Sequence, residues 1–220
     1  MGRVLGVLGG MGPAATTAFM ARVQALTPAA GDEDHVHMLV DLNPRVPNRH
    51  TRPQAAGRTL GAMAARLGDM GAEVLAMPCN TAHAHAGAIR AAGLPFLDMI
   101  ALTVEAARDT GARRIGVLAT PGGEALYAEA LAGAGLEAVR LSDEDRAAFM
   151  TAVLGFKAGD FSDGPRAEMR RLAAALVGAG AEAVIGGCTE VPLLLEAGEV
   201  TAPLVDSAEV LAAACVKACA

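Results

Sequence analysis

The chain is written twice. Residues 71–79 read GAEVLAMPC and residues 180–188 read GAEAVIGGC, so Gly71, Ala72, Glu73 and Cys79 recur 109 positions on as Gly180, Ala181, Glu182 and Cys188. The Arg3–Leu8 stretch RVLGVL returns 110 on as RRIGVL at Arg113–Leu118, and PFLD at 95–98 returns 108 on as PLVD at 203–206. Three blocks, in order and at nearly constant offset, mark an internal duplication. Whatever one half folds into, the other must fold into as well.

Each half alternates short apolar runs with helical stretches. Val4–Leu8, Val36–Leu42, Glu73–Met77 and Pro95–Leu97 read as strands in the first half, with helices between them. Such alternation implies a parallel sheet with helices on both faces. The expected fold is therefore α/β, two pseudo-symmetric doubly wound parallel-sheet subdomains. Residues 1–98 form the first and 99–206 the second, with a final helix at 207–220 expected to pack onto the first. Sheets of this kind bind ligands outside the carboxyl ends of their strands. The stretches Gly9–Gly12, Asn43–Arg52, Cys79–Thr81, Thr120–Gly123 and Cys188–Glu190 all follow apolar runs and belong there. If the halves face each other about a pseudo-twofold, Cys79 and Cys188 meet across a cleft.

Composition narrows the function. Aromatics are 3% with no Trp, which argues against a carbohydrate or stacked-base platform, and a net charge of −6 without long charge runs argues against nucleic-acid or membrane-surface binding. No apolar run approaches the roughly 20 residues that span a bilayer, and MGRVLGVLGGMGP is too glycine-rich for a signal peptide. The expectation is a cytoplasmic protein whose four cysteines are reduced thiols. Cys215 and Cys219, four apart in an Ala-rich helix, read as packing residues.

Cys79 and Cys188 read differently. Each follows a strand, and Asn80-Thr81 suits the N-cap of a following helix, where the dipole favours a thiolate. Two such thiols suit one reaction in particular. Inverting an amino-acid α-carbon needs one acid/base group on each face of a planar carbanion, and a thiolate with a thiol supplies both. Asn80, Thr81, Thr189 and helix N-termini are candidates to hold substrate carboxylates. Arg49, in a loop that also carries Arg45 and Arg52, or Lys157 would add a cation.

The remaining motifs have plainer readings. Gly9-Gly10-Met11-Gly12 lacks Gly-x-Gly-x-x-Gly spacing and a following Lys-Ser/Thr, so it reads as a close-approach turn rather than a nucleotide loop. His83 and His85, two apart on a helix, point in different directions, and a capping role suits His83 better than a metal site.

LGGMGPAAT (8–16), NPRVPNR (43–49), MPCNTAHA (77–84), GVLAT (116–120), FKAG (156–159) and GGCTEV (186–191) together resemble the cofactor-independent aspartate/glutamate racemase family. The resemblance spans nearly the whole chain. It implies a two-cysteine racemase acting on a small dicarboxylic amino acid, aspartate or glutamate, with Cys79 and Cys188 catalytic, and a homodimer as the usual assembly. It further implies that Met11, Arg49, Asn80, Thr81, Thr120, Lys157 and Thr189 line the substrate pocket, with no pyridoxal phosphate, metal or nucleotide. Two places depart from the family pattern. Asn48-Arg49-His50 stands where Asp-Arg-Thr is common, and Gly122-Gly123 where Gly-Thr is common. Both bear on the substrate side chain. Hydantoin racemase, maleate isomerase and malonate decarboxylase chemistries remain alternatives on the same framework, as does a non-catalytic binder of acidic metabolites.

Overall fold

A computed structural model describes residues 2–49 and 51–220. By its internal contacts the chain divides into two compact units: the residues up to Met99 together with Ala208–Ala220, and Ile100–Ser207.

In the first unit β1 (Leu5–Gly9), β2 (Met38–Leu42), β3 (Val74–Ala76) and β4 (Phe96–Leu97) form a parallel sheet in the order β2-β1-β3-β4. β1 is buried throughout because it pairs on both edges, Leu5 facing Met38 on one side and Val74 on the other. A continuous apolar run is what such a central parallel strand requires. Among the described residues β2 pairs with β1 alone and is half-exposed, which is why its run tolerates Asp41. Helices α1 (Pro13–Leu26), α2 (Pro53–Asp69) and α3 (Ala86–Arg90) make the crossovers. Pro13 and Pro53 both sit in first turns, where no backbone N–H is needed.

The second unit repeats the plan. β5 (Arg114–Leu118), β6 (Glu137–Val139), β7 (Ala183–Gly186) and β8 (Leu204–Asp206) are parallel in the order β6-β5-β7-β8. Helices α4 (Met99–Asp109), α5 (Pro121–Gly133), α6 (Asp143–Lys157), α7 (Asp163–Gly178) and the single turn α8 (Val191–Leu194) accompany them. The last helix, α9 (Ser207–Cys219), is grouped with the first unit, where the Arg3 N–H donates to the Cys219 carbonyl at 3.0 Å and Arg22 pairs with Glu209 at 2.6 Å. Cys215 and Cys219 are buried thiols, both pushed up in pKa by burial.

The duplicated Gly-Ala-Glu is scaffold, and the two copies do identical work. Gly71 and Gly180 end α2 and α7 at positive φ, 102° and 94°, a conformation in which glycine has no Cβ penalty. The next residue bonds back five positions, Ala72 N–H to Leu67 O at 2.9 Å and Ala181 N–H to Leu176 O at 3.0 Å. Ala72 and Ala181 then pack against the glycine of the central strand. A Cβ on Gly6 would lie 2.8 Å from Ala72 Cβ, and one on Gly116 would lie 3.0 Å from Ala181 Cβ. Finally the glutamate clips the start of that strand. Glu73 Oε2 accepts the Val4 N–H at 2.9 Å, and Glu182 Oε2 accepts the Arg113 N–H at 2.6 Å.

Two sequence expectations change. The strand read from Val36 starts at Met38. The helix expected after Asn80-Thr81 opens as a 3₁₀ turn, Thr81–His85, before α3. There the His83 N–H bonds to Asn80 O, three residues back, at 3.0 Å. Among the described residues no helix is long and apolar enough to cross a membrane.

Candidate active site

In the first unit the chemistry gathers where β1 and β3 end. Gly10, at φ 97°, lies so close to Asn43 that a Cβ would meet its backbone. Thr16, fully buried, ties the same turn, its Oγ1 accepting the Gly10 N–H at 2.9 Å and donating to Gly12 O at 3.0 Å. This is a close-approach turn, held by α1. Met11 is buried in one apolar cluster with Leu8, Val46, Met77 and Cys79.

Cys79 follows β3 and is 5% exposed. Its carbonyl is held by His83, whose Nδ1 lies 2.9 Å away, while His83 Nε2 accepts the Met99 N–H at 3.0 Å. Because Nε2 accepts, the ring proton is on Nδ1 and donates to Cys79 O. The ring also stacks on Phe96, centroids 5.4 Å apart. Burial, the largest influence, lowers the His83 pKa below its ordinary 6.5, so the imidazole is neutral where it works. A histidine kept neutral by folding gives stability that is complete above pH about 6.5 and is lost as pH falls below it. Urea titrations from about pH 7.5 down to about pH 5 are therefore expected to show the wild type losing stability more steeply than a His83→Gln variant.

Asn80 is buried and stands at the N-cap position without capping through its side chain; Thr81 beside it is half-buried. The arginine loop is built from asparagine turns. Asn43 Oδ1 accepts the Arg45 N–H at 3.0 Å, and Asn48 Oδ1 accepts the Thr51 N–H at 3.1 Å. Asn48 thus makes a turn bond that an aspartate oxygen would also make. Arg49 is half-buried, and among the described residues its Nε is enclosed with no hydrogen-bond partner. Beside it His85 donates to the Arg49 backbone carbonyl, and its own Nε2 is likewise enclosed and unpartnered. Burial and then the Arg49 charge lower the His85 pKa. His50 lies outside the described residues.

In the second unit Thr120, half-buried, caps α5 by accepting the Gly123 N–H at 3.3 Å. A Cβ on Gly123 would lie 3.3 Å from Ala119 Cβ and 3.4 Å from Gly187 O, so the turn has closed around the small residue. Cys188 follows β7 and is 6% exposed; Thr189 and Glu190 are buried with it. Its Sγ–H donates to Glu190 Oε2 at 2.9 Å, and Lys157, in the last turn of α6, reaches Glu190 Oε1 at 3.0 Å.

This corrects one expectation. The sequence suggests that Cys188, like Cys79, is a thiol made acidic by a helix N-terminus. Instead burial first, and then the Glu190 carboxylate, hold its pKa well above the ordinary value, against the opposing charge of Lys157. The helix that follows, α8, is a single turn and offers little dipole. Cys188 is therefore a thiol at rest. Glu190 is the residue sequence reasoning passed over, although it stands in the GCTE motif. Laying the two halves together would have flagged it, because the residue two after Cys79 is Thr81. Among the described residues no three His, Cys, Asp or Glu side chains gather as a metal site.

The family model for Asp/Glu/Hydantoin racemase matches residues 8–215. The broad specificity amino-acid racemase RacX of Bacillus subtilis is 27% identical over 218 residues, 95% of each chain. The Picrophilus torridus aspartate racemase superposes with a TM-score of 0.89 at 26% identity, covering 99% of this chain and 94% of that one. An arylmalonate decarboxylase shares the fold alone, with a TM-score of 0.57 at 17% identity over 98% of this chain and 92% of that one.

Proposed function

The chain belongs to the Asp/Glu/Hydantoin racemase family, and from that premise we propose that it is a two-base amino-acid racemase acting on aspartate, with glutamate as a further substrate. The observation that carries the reading is the pair of buried strand-end thiols, Cys79 and Cys188, at equivalent places in the two repeats. In this reading one thiolate takes the α-proton and the other thiol returns a proton to the opposite face. The charge arriving on the α-carbon spreads into the carboxyl group, which needs positive or N–H partners. Arg49, with its enclosed unpartnered Nε, is proposed for one substrate carboxylate. Asn80, Thr81, Thr120, Thr189 and Lys157 are proposed to complete the contacts, and Met11 to form an apolar wall.

The same reading assigns the proton transfers to thiols, without pyridoxal phosphate. A pyridoxal enzyme anchors its cofactor on a lysine, and the two lysines here are Lys157, ion-paired to Glu190, and Lys217 in α9. An acidic substrate is favoured over an apolar one by the enclosed arginine. The relative from Bacillus subtilis is named for broad specificity, so the test uses a panel. Incubation of L-aspartate, L-glutamate and a set of neutral and basic L-amino acids in deuterated water is expected to give α-deuterium and D-isomer fastest with aspartate. Exchange with none of them overturns the racemase reading, and exchange confined to neutral or basic members overturns the choice of substrate.

A further inference from the structure

The chain leaves each unit at a matched place. It passes from the first unit to the second after Met99, the first residue of α4, and returns after Ser207, the first residue of α9. Met99 and Ser207 are themselves equivalent, since PFLDM at 95–99 answers PLVDS at 203–207, 108 positions on. Both are fully buried. Each is tied by a side-chain hydrogen bond to the end of the strand that leads into a cysteine. In the first repeat the Met99 N–H donates to His83 Nε2 at 3.0 Å, and His83 Nδ1–H donates to the Cys79 carbonyl at 2.9 Å. In the second the Ser207 hydroxyl donates at 2.7 Å to the carbonyl of Gly186, the last residue of β7 and two before Cys188.

The tie is present in both repeats although its residues are not duplicated. The position 109 after His83 is Pro192, which has no side-chain donor, and Met99 has no hydroxyl to match that of Ser207. One repeat reaches from the cysteine turn to the crossing residue, the other from the crossing residue back to the cysteine strand. A buried carbonyl past the sheet ladder needs some donor. A donor fixed at the chain crossing also removes backbone freedom beside the thiol, and proton transfer between sulfur and carbon is sensitive to displacements of a fraction of an ångström. We propose that His83 and Ser207 are the positioning residues of the two thiols, His83 for Cys79 and Ser207 for Cys188, each fixing the thiol's backbone to the residue at which the chain crosses to the other unit.

The proposal rests on the racemase reading above. Its rival is that both ties merely satisfy buried carbonyls and add stability. The two differ in what they do to each direction of the reaction. Mirror-image substrates have equal energies, so a variant changes kcat/KM equally both ways, and a fault in one thiol shows only in the isotope effects. A displaced thiol slows the step in which it breaks Cα–H, so the α-deuterium effect rises for the enantiomer it deprotonates. For the other enantiomer the slowed step is reprotonation, after the substrate deuterium has left, and the effect falls. A loss of stability alone lowers the folded fraction and leaves both effects unchanged.

The experiment compares racemisation of both enantiomers, with and without α-deuterium, using aspartate or whichever amino acid the wild type racemises fastest. Ser207→Ala and His83→Leu are each expected to lower turnover about 10-fold. The ratio of the L to the D isotope effect is expected to move one way in Ser207→Ala and the opposite way in His83→Leu. Ser207→Thr and His83→Gln, which keep a donor, are expected to restore most of the turnover and the wild-type ratio. If His83→Leu does not fold, Ser207→Ala against Ser207→Thr carries the test. A ratio unchanged in Ser207→Ala, or one that moves the same way in both variants, overturns the positioning roles and leaves the racemase reading standing. A wild type that racemises nothing overturns that reading, and these roles with it.

Discussion

Alanine at Cys79 or at Cys188 is expected to lower racemisation about 10³-fold, and the double variant to lose little beyond either single one. The first figure follows from the chemistry. In the proposed mechanism each thiol supplies a proton transfer that water cannot replace, since both cysteines are at most 6% exposed. The second follows from the two acting as a unit: once one face has no acid, a base on the other face has nothing to complete. Both sulfurs sit in apolar clusters, Cys79 with Met11 and Val46, Cys188 with Leu118 and Val191, so a purely packing role must be separated. Packing cysteines would show additive losses of stability in denaturant titrations and little change in turnover. Full folding of both single variants with retained racemisation would end the two-base reading.

Gly187→Ala is expected to destabilise the second unit by about 2 kcal/mol and to damage activity without touching a reacting group. A Cβ there would lie 2.7 Å from Tyr127 Cε2, 3.0 Å from Cδ2 and 3.1 Å from Ala119 Cβ. Tyr127 is fully buried, so the ring has no room to yield and the strain passes into the backbone. The neighbour on that backbone is Cys188, whose sulfur lies 2.9 Å from Glu190. Thermal and denaturant unfolding would read the first effect, and the rate at saturating substrate the second. The other repeat has no counterpart to this change, because residue 78 is already Pro. A Gly187→Ala protein as stable and active as wild type would show that Tyr127 can move after all.

Much of the fold was legible because it is local and repeated. The continuous apolar runs at Val4–Leu8 and Ile115–Leu118 lie on central parallel strands, which only such runs can fill. The glycines at 71 and 180 stand at helix ends and the prolines at 13, 53 and 121 at helix starts, places those residue types favour. Less legible were features set by single long-range bonds. The helix after Asn80 opens as a tight turn in which the His83 ring hooks back to the Cys79 carbonyl and outward to Met99, sixteen residues on. The duplicated glutamates, Glu73 and Glu182, read from the sequence only as part of the repeat, and the structure shows them to be strand clips.

The two cysteines show where the division falls. Their position at the ends of β3 and β7 was settled by the sequence alone, because strand, stop and repeat are all properties of neighbouring residues. Their protonation was not. Cys188 is held as a thiol by burial and by a carboxylate, and that carboxylate is itself held by Lys157, which the end of α6 brings within 3.0 Å from a distant part of the chain. A pKa depends on what surrounds a group in three dimensions and on how much water reaches it. Neither quantity is written in the order of residues, so only the tertiary structure decides the charge on a thiol whose place the sequence had already marked.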